Sequence, residues 1–189
     1  MKRIGMLVFA AMTAGFAAVS LPSAAGVADD EGSPIYGVKV PVGYRDWHLI
    51  SIGHLTGGSL DHSGGSLKQL RAQMGNDIAI KAFRDRTRPF PDGAIIVALH
   101  WDEVSSEDNN KVLATGFPGA DLKSSFAGVA ENIQVMVKDS KKYAASGGWG
   151  FADFRNGKPG DTALHETCFA CHSPAKDRDF VFTRYAPTP

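Results

Sequence analysis

Residues 147–154 read GGWGFADF, and this stretch sets the class of the fold. After the two glycines, Trp149 and Phe151 alternate with small residues, which is typical of a β-strand with a buried face. We expect Trp149 and Phe151 to point into a core, with Phe154 as a third candidate for that core. The stretch therefore predicts a buried strand in the last quarter of the chain.

Two stretches upstream predict the partners of this strand. Residues 94–101, AIIVALHW, are rich in β-branched and apolar side chains and follow an Asp-Gly turn. Residues 133–137, IQVMV, alternate around Gln134 and Met136. These runs predict an antiparallel β-sheet of at least three strands with flanking helices before and after it. The fold class is therefore α+β.

The helix before the sheet is predicted from the spacing of apolar residues. Ser66 and Gln69 fit a capping box, and apolar residues then recur at helical spacing. This apolar stripe consists of Leu67, Leu70, Met74, Ile78 and Ala82. We expect a helix over 66–86, and we expect the glycine-rich run 53–65 and the polar run 105–121 to form loops.

A second helix is predicted at 162–170, where Asp161 can act as the N-cap. The decapeptide ETCFACHSPA at its end contains Cys168, Cys171 and His172, and the chain has no other cysteine. On such a helix Cys168 and His172 share one face, because they are separated by about one turn.

The spacing of Cys168, Cys171 and His172 allows several chemistries. A disulfide would close a very small ring and stabilise little of the fold. A structural zinc site needs four protein ligands, and this run supplies three. A thioredoxin-like redox pair would need a surrounding βαβ pattern, which is absent.

Attachment of c-type haem uses all three residues. Each thiol adds to a vinyl group of the porphyrin, and the imidazole of His172 binds the iron. The sequence thus predicts one covalently attached haem c on a C-terminal haem-attachment helix. Cys168, Cys171 and His172 are its predicted binding residues, and His172 is the predicted metal ligand.

The sequence leaves the second axial position of the iron open to two interpretations. No Met or His follows His172, so any distal ligand must come from upstream. His165 lies on the same helix face as His172, and we expect it at the surface or near a haem propionate. The upstream candidates are Met74, Met136, His48, His54 and His100. The iron is either closed by one of them or open to small ligands.

Two of these candidates have a predicted location. Met74 belongs to the apolar stripe of the predicted helix, which favours a core position. His100 shares a strand face with Ala98. If that face looks toward the haem, His100 could be a distal ligand or a base; otherwise it is a packed or rim residue.

The N-terminus predicts export. A basic start, an apolar stretch over 6–19 and small residues at 23–25 form the pattern of a secretory signal peptide. We therefore expect a signal peptide at 1–25 and one domain at 26–189, located in the periplasm and free of the membrane after cleavage. The 20 basic and 20 acidic residues balance, which argues against a nucleic-acid partner.

Several motifs give the chain a resemblance to a known family. Besides GGWGF and CFACH, the sequence contains YRDW at 44–47, GND at 75–77, PDGA at 91–94 and DRDFVFTRY at 177–185. With its haem motif near the C-terminus, the chain resembles the cytochrome P-460 family, which is related to the β-type cytochromes c′. The resemblance implies a mainly antiparallel β fold with helices, one haem c, a five-coordinate iron and often a homodimer.

The resemblance implies two activities. The best-known family members oxidise hydroxylamine, and the β-type cytochromes c′ bind nitric oxide and carbon monoxide. In the hydroxylamine oxidisers a lysine from the strand after the PDGA turn is joined to the porphyrin, and a distal carboxylate handles protons. Here that strand, 94–101, has no lysine. Lys138 and Lys81 are substitutes, although we expect each to be a solvated residue.

The sequence therefore predicts an exported mono-haem c-type cytochrome with an open iron that acts on small nitrogen species, either by oxidising hydroxylamine or by binding nitric oxide. A redox protein is its expected electron partner. The alternative is a periplasmic electron-transfer cytochrome with a six-coordinate haem.

Overall fold

A computed structural model describes residues 31–58 and 66–187 of the chain. In these residues a six-stranded sheet forms, its strand order follows the order along the chain, and all neighbours are antiparallel. The strands are β1 His48–Gly58, β2 Ser66–Gly75, β3 Ile95–Ser105, β4 Ser125–Lys138, β5 Trp149–Arg155 and β6 Lys158–Pro159. The helices are α1 Asp77–Asp85, α2 Glu107–Gly116 and α3 Thr162–His172. The predicted α+β class, with an antiparallel sheet and a C-terminal helix, is confirmed.

One face of the sheet carries α1 and α3, and we call it the helix face. Directly opposed residues of antiparallel strands share a face, and Met136 pairs with both Ile96 and Phe151. These three residues pack with α1 in one core, against which Cys168 of α3 also packs. The buried members of this core are Ile50, Ala79, Ile80, Ala82, Phe83, Phe90, Ala94, Ile96, Met136, Trp149, Phe151 and Val181.

The opposite face of the sheet has its own core. Val38 and Tyr44, which precede β1, cover this face together with Tyr143. The buried members of the second core are Val38, Tyr44, Val97, Val135, Tyr143, Ala152 and Phe154. Successive residues of β3, β4 and β5 therefore alternate between two buried environments, which explains why these strands are apolar on both faces.

The prediction of a helix over 66–86 is wrong in its first half. Residues of β2 pair with β1 on one side and β3 on the other, and pairing on both edges outweighs the local helix pattern. Helix α1 starts only after Asn76, whose side-chain oxygen accepts the Ala79 N–H at 3.0 Å. Ser66 and Gln69 are strand residues and not a capping box.

Both predicted loops contain regular structure. The first part of the run 53–65 belongs to β1, and its last part, 59–65, lies outside the described residues. The run 105–121 contains α2, which Ser106 caps by accepting the Asn109 N–H at 3.3 Å. None of the residues in α2 is buried, so no apolar stripe marks this helix in the sequence.

The three predicted strands are confirmed as β3, β4 and β5, and the first two are longer than expected. Trp149, Phe151 and Phe154 are all buried, although Phe154 lies in the opposite core. The predicted signal peptide at 1–25 lies outside the described residues. Among the helices in the described ranges, none combines the length and apolar character needed to cross a membrane.

Candidate functional site

Helix α3 carries both cysteines and His172. It begins as predicted, because the Asp161 carboxylate accepts the Leu164 N–H at 2.8 Å. The helix ends at His172 and continues directly into a 3-10 turn, Ser173–Arg178. The motif residues thus occupy the last turns of a capped helix that packs on the sheet.

The two thiols have different surroundings. Cys168 is half-buried against the helix-face core, Cys171 is exposed, and both cysteines are free. The pKa of Cys168 is raised to about 11, mainly by burial and to a smaller extent by the nearby Asp153 and Cys171. A redox-active thiol needs a lowered pKa, so the thioredoxin-like alternative does not fit.

The imidazole of His172 has a fixed orientation. Its Nδ1 donates to the carbonyl oxygen of Phe180 at 2.7 Å, which leaves the lone pair on Nε2. Burial lowers the pKa of His172, which favours the neutral ring that a metal requires. The rings of Phe151 and Phe182 flank the imidazole, with centroids 4.9 and 5.0 Å away.

The expectation for His165 is wrong. We predicted a surface or propionate-facing residue, but His165 is 0% exposed. Its Nδ1 donates to the Asp161 carbonyl at 2.7 Å, and its Nε2 accepts the Asp153 N–H at 3.2 Å. Because both ring nitrogens are used, His165 joins α3 to β5 as a structural residue.

A polar cluster lies on the helix face, in register across three strands. His100 Nδ1 lies 2.7 Å from the side-chain oxygen of Asn132, and the amide of Asn132 donates to Asp153 at 2.6 Å. Gln134 donates to the same carboxylate oxygen at 2.9 Å. His100 and Asp153 are 3% and 4% exposed. We call these four residues the polar cluster.

Two atoms of the polar cluster have no hydrogen-bond partner within the part of the chain that the structure describes, namely His100 Nε2 and Asp153 Oδ1. Since Asn132 donates its amide to Asp153, its oxygen accepts from His100 Nδ1, and His100 Nε2 carries the lone pair. Burial, and then the charge of Arg71, lower the pKa of His100 to about 4. His100 Nε2 and Asp153 Oδ1 are therefore both available as hydrogen-bond acceptors.

Lys138 is not the solvated residue that we expected. Its side chain is 5% exposed, and its ammonium group lies 2.8 Å from Asp179 and 3.1 Å from the Gly147 carbonyl. The strand end is covered by the segment after α3, which explains the burial. Lys81 agrees with the expectation, because it is exposed and paired with Asp85 on α1.

The structure reduces the list of upstream residues that could bind the iron at the distal position. Met74 packs in the opposite core, and Met136 lies within the helix-face core. His48 and His54 are exposed. His100 lies on the helix face, is buried and has an unpaired nitrogen. Of the five candidates, His100 alone combines these properties.

Sequence reasoning missed Asn132 and Asp153 as site residues. The signal was available, because both occupy strand positions with the same parity as the core residues Met136 and Phe151. A polar residue at an inward-facing strand position requires a partner. Gln134 was recognised as an alternating position and not as part of a site.

The donor set fits a haem. In the described ranges, no three His, Cys, Asp or Glu side chains are grouped to hold a metal ion, so the zinc alternative is not supported. Two free thiols and an imidazole with an available Nε2 would supply two attachment points and one iron ligand if a haem were bound. An antiparallel sheet followed by a helix with this donor set is compatible with a haem-binding protein of the cytochrome class.

Comparison with protein families gives the particular family. The family model for Cytochrome P460 matches residues 41–183, and the chain belongs to this family. It is accordingly a haem protein related to the hydroxylamine-oxidising cytochromes. A search of curated proteins gives no match.

Proposed function

We propose that this chain is an exported, periplasmic mono-haem c-type cytochrome that oxidises hydroxylamine at an open iron site. Cys168 and Cys171 would form the thioether bonds, and His172 would bind the iron through Nε2. The observation that carries the choice of substrate is the pair of unpaired acceptors, His100 Nε2 and Asp153 Oδ1.

Buried acceptors without partners favour a protic ligand. Each buried polar atom left unpaired costs about 1–3 kcal/mol, so a donor that reaches these atoms binds favourably. Hydroxylamine presents N–H and O–H donors, whereas nitric oxide and carbon monoxide present none. The two acceptors therefore support the proposal of hydroxylamine, rather than a diatomic gas, as the ligand.

The same residues suit the proton chemistry. When bound, the haem would supply an iron that takes the substrate nitrogen and accepts electrons. Removing two electrons and two protons from hydroxylamine leaves nitroxyl, and the electrons would pass one at a time to two equivalents of a one-electron redox partner protein. Neutral His100 and the Asp153 carboxylate can accept the protons, because each has a free lone pair. Asn132 would hold both groups in place, since it contacts each of them.

Binding of nitric oxide without oxidation is the second candidate. Two observations about lysine favour it. Strand β3 contains no lysine, and the ammonium group of Lys138 is paired with Asp179. A lysine joined to the porphyrin would have to leave such a pair. A homodimer, which the family resemblance implies for many members, is compatible with both candidates.

The electron-carrier alternative now depends on one residue. His100 is the upstream candidate with a free nitrogen on the helix face. If His100 Nε2 bound the iron, the haem would be six-coordinate and small ligands would be excluded.

The test uses the holoprotein purified after export from a host that attaches haem c. We would record the ferrous spectrum with and without carbon monoxide, and follow hydroxylamine consumption with ferricyanide as the electron acceptor. The same measurements are made on the variant His100→Gln, because glutamine can keep a hydrogen-bond donor near Asn132 without an imidazole. Peptide mapping of the haem adduct would show whether a lysine is attached.

Each outcome selects one candidate. We expect rapid carbon monoxide binding and hydroxylamine-dependent reduction of ferricyanide. Carbon monoxide or nitric oxide binding without hydroxylamine turnover would favour the second candidate. The electron carrier would be favoured if the wild type is low-spin and does not bind carbon monoxide, while the His100→Gln variant binds it.

A further inference from the structure

The segment after α3 has an unusual backbone next to the axial histidine. Asp179 and Phe180 are consecutive non-glycine residues with positive φ angles of 53° and 62°. Left-handed conformations are unfavourable for residues with a side chain and persist only where surrounding contacts hold them. The carbonyl of Phe180 is the acceptor for His172 Nδ1. A strained segment therefore presents the group that orients the axial ligand.

A buried ion pair holds this segment. The Asp179 carboxylate lies 2.8 and 2.9 Å from Lys138 Nζ and accepts the Phe90 N–H at 2.8 Å. The two side chains are 5% and 9% exposed. Lys138 also donates to the Gly147 carbonyl at 3.1 Å. The carboxylate thus has directed contacts to two other parts of the chain, namely the backbone N–H of Phe90 and the ammonium group of Lys138 at the end of β4.

Packing fixes the neighbouring ring as well. The Phe180 ring lies so close to Gly147 that a Cβ at Gly147 would come within 2.2 Å of it. The same ring contacts Phe169 of α3 at a centroid distance of 5.3 Å. These contacts hold the side chain of Phe180, and the ion pair holds the preceding residue, Asp179. The Phe180 carbonyl therefore has little freedom to turn away from His172.

We propose that Lys138 and Asp179 are positioning residues for the axial imidazole, which they orient by holding the Phe180 carbonyl on His172 Nδ1. The hydrogen bond from Nδ1 raises the basicity of the imidazole and so controls the electron density on a metal bound at Nε2. The proposal rests on iron ligation by His172. It gives the buried Lys138 a role that differs from attachment to the porphyrin.

The test measures the iron–histidine stretching band of the ferrous holoprotein and its reduction potential. The first variant is Asp179→Asn, because asparagine keeps the shape, tolerates the left-handed conformation and still accepts the Phe90 N–H. The second is the double variant Lys138→Met/Asp179→Asn, which removes the ion pair without changing net charge. The control is Lys81→Met/Asp85→Asn, which makes the same charge change at an exposed pair on α1.

We expect the band to shift to lower frequency and the potential to rise in Asp179→Asn, and we expect the band shift to persist in the double variant. The control should match the wild type. An unchanged band in both test variants, or a shift that disappears in the double variant, would overturn the proposal, the latter because charge alone would then explain it. A ferrous wild type that is five-coordinate and high-spin but has no iron–histidine band would instead refute ligation by His172, on which the proposal rests.

Discussion

The Nδ1 atom of His172 lies 2.7 Å from the carbonyl oxygen of Phe180. This contact joins the end of α3 to the segment that follows it and gives the imidazole one tautomer. Nε2 is then the nitrogen available to a metal. The haem assignment depends on this arrangement.

Replacing His165 with alanine should destabilise the fold. The variant loses two buried hydrogen bonds and leaves a cavity between α3 and β5, which together cost about 3 kcal/mol. Urea unfolding of the holoprotein measures the change. The control is His54→Ala at an exposed site, which should change stability by no more than about 0.5 kcal/mol. Equal effects of the two substitutions would contradict the structural role of His165.

His100 should make stability depend on pH. Its pKa is about 4 in the folded protein and about 6.5 in the unfolded chain. As pH falls from about 6.5 to about 4, the unfolded chain takes up a proton at His100 before the folded protein does. The free energy of unfolding therefore falls across this window, by about 3 kcal/mol for this group. Below the window both states are protonated, and the loss is complete.

The variant His100→Gln isolates this contribution. Arg71, Asn132 and Asp153 face His100 and remain in the variant. Urea unfolding at a series of pH values should show that the wild type loses more stability than His100→Gln between about pH 6.5 and pH 4. A stability difference that stays constant with pH would show that His100 does not titrate in this way.

Asp153→Asn should separate turnover from ligand binding. The variant keeps the size of the side chain and loses the negative charge at the unpaired Oδ1. We expect hydroxylamine turnover to fall about 100-fold, a usual contribution of a positioned base, while carbon monoxide affinity stays close to that of the wild type. Asp85→Asn on the exposed face of α1 is the matched control and should leave both quantities unchanged. Full turnover in Asp153→Asn would remove Asp153 from the proton chemistry.

Gly147→Ala should destabilise the protein through Phe180. Gly147 has φ 69° and the Phe180 ring in the space of its missing Cβ. Gly157 is the control, because it has φ 80° and nothing within 4 Å of that position. Thermal unfolding should show a cost of about 1 kcal/mol for Gly157→Ala and about 2 kcal/mol more for Gly147→Ala. Similar costs would mean that Phe180 moves freely.

The sequence predicts the elements with strong local signals. It correctly predicts strands β3 and β5 and the helix capped by Asp161, because alternation and capping are short-range patterns. The helix prediction fails over 66–75. Leu67, Leu70 and Met74 have helical spacing, but they belong to a strand that lies between two partner strands. That outcome depends on pairing with distant residues, which a local pattern does not contain.

The candidate site divides in the same way. Cys168, Cys171 and His172 follow from one short motif. The polar cluster and the Lys138–Asp179 pair do not, because their hydrogen-bonded partners are 19–41 positions apart in the sequence. Lys138 looked like a solvated strand end, and only the folded segment after α3 buries it.

Intact-mass spectrometry under denaturing conditions tests the central claim most directly. The exported wild type should retain the mass of one haem per chain after denaturation, and the variant Cys168→Ser/Cys171→Ser should lose it. A colourless wild-type protein whose two cysteines are free or joined in a disulfide would contradict the account.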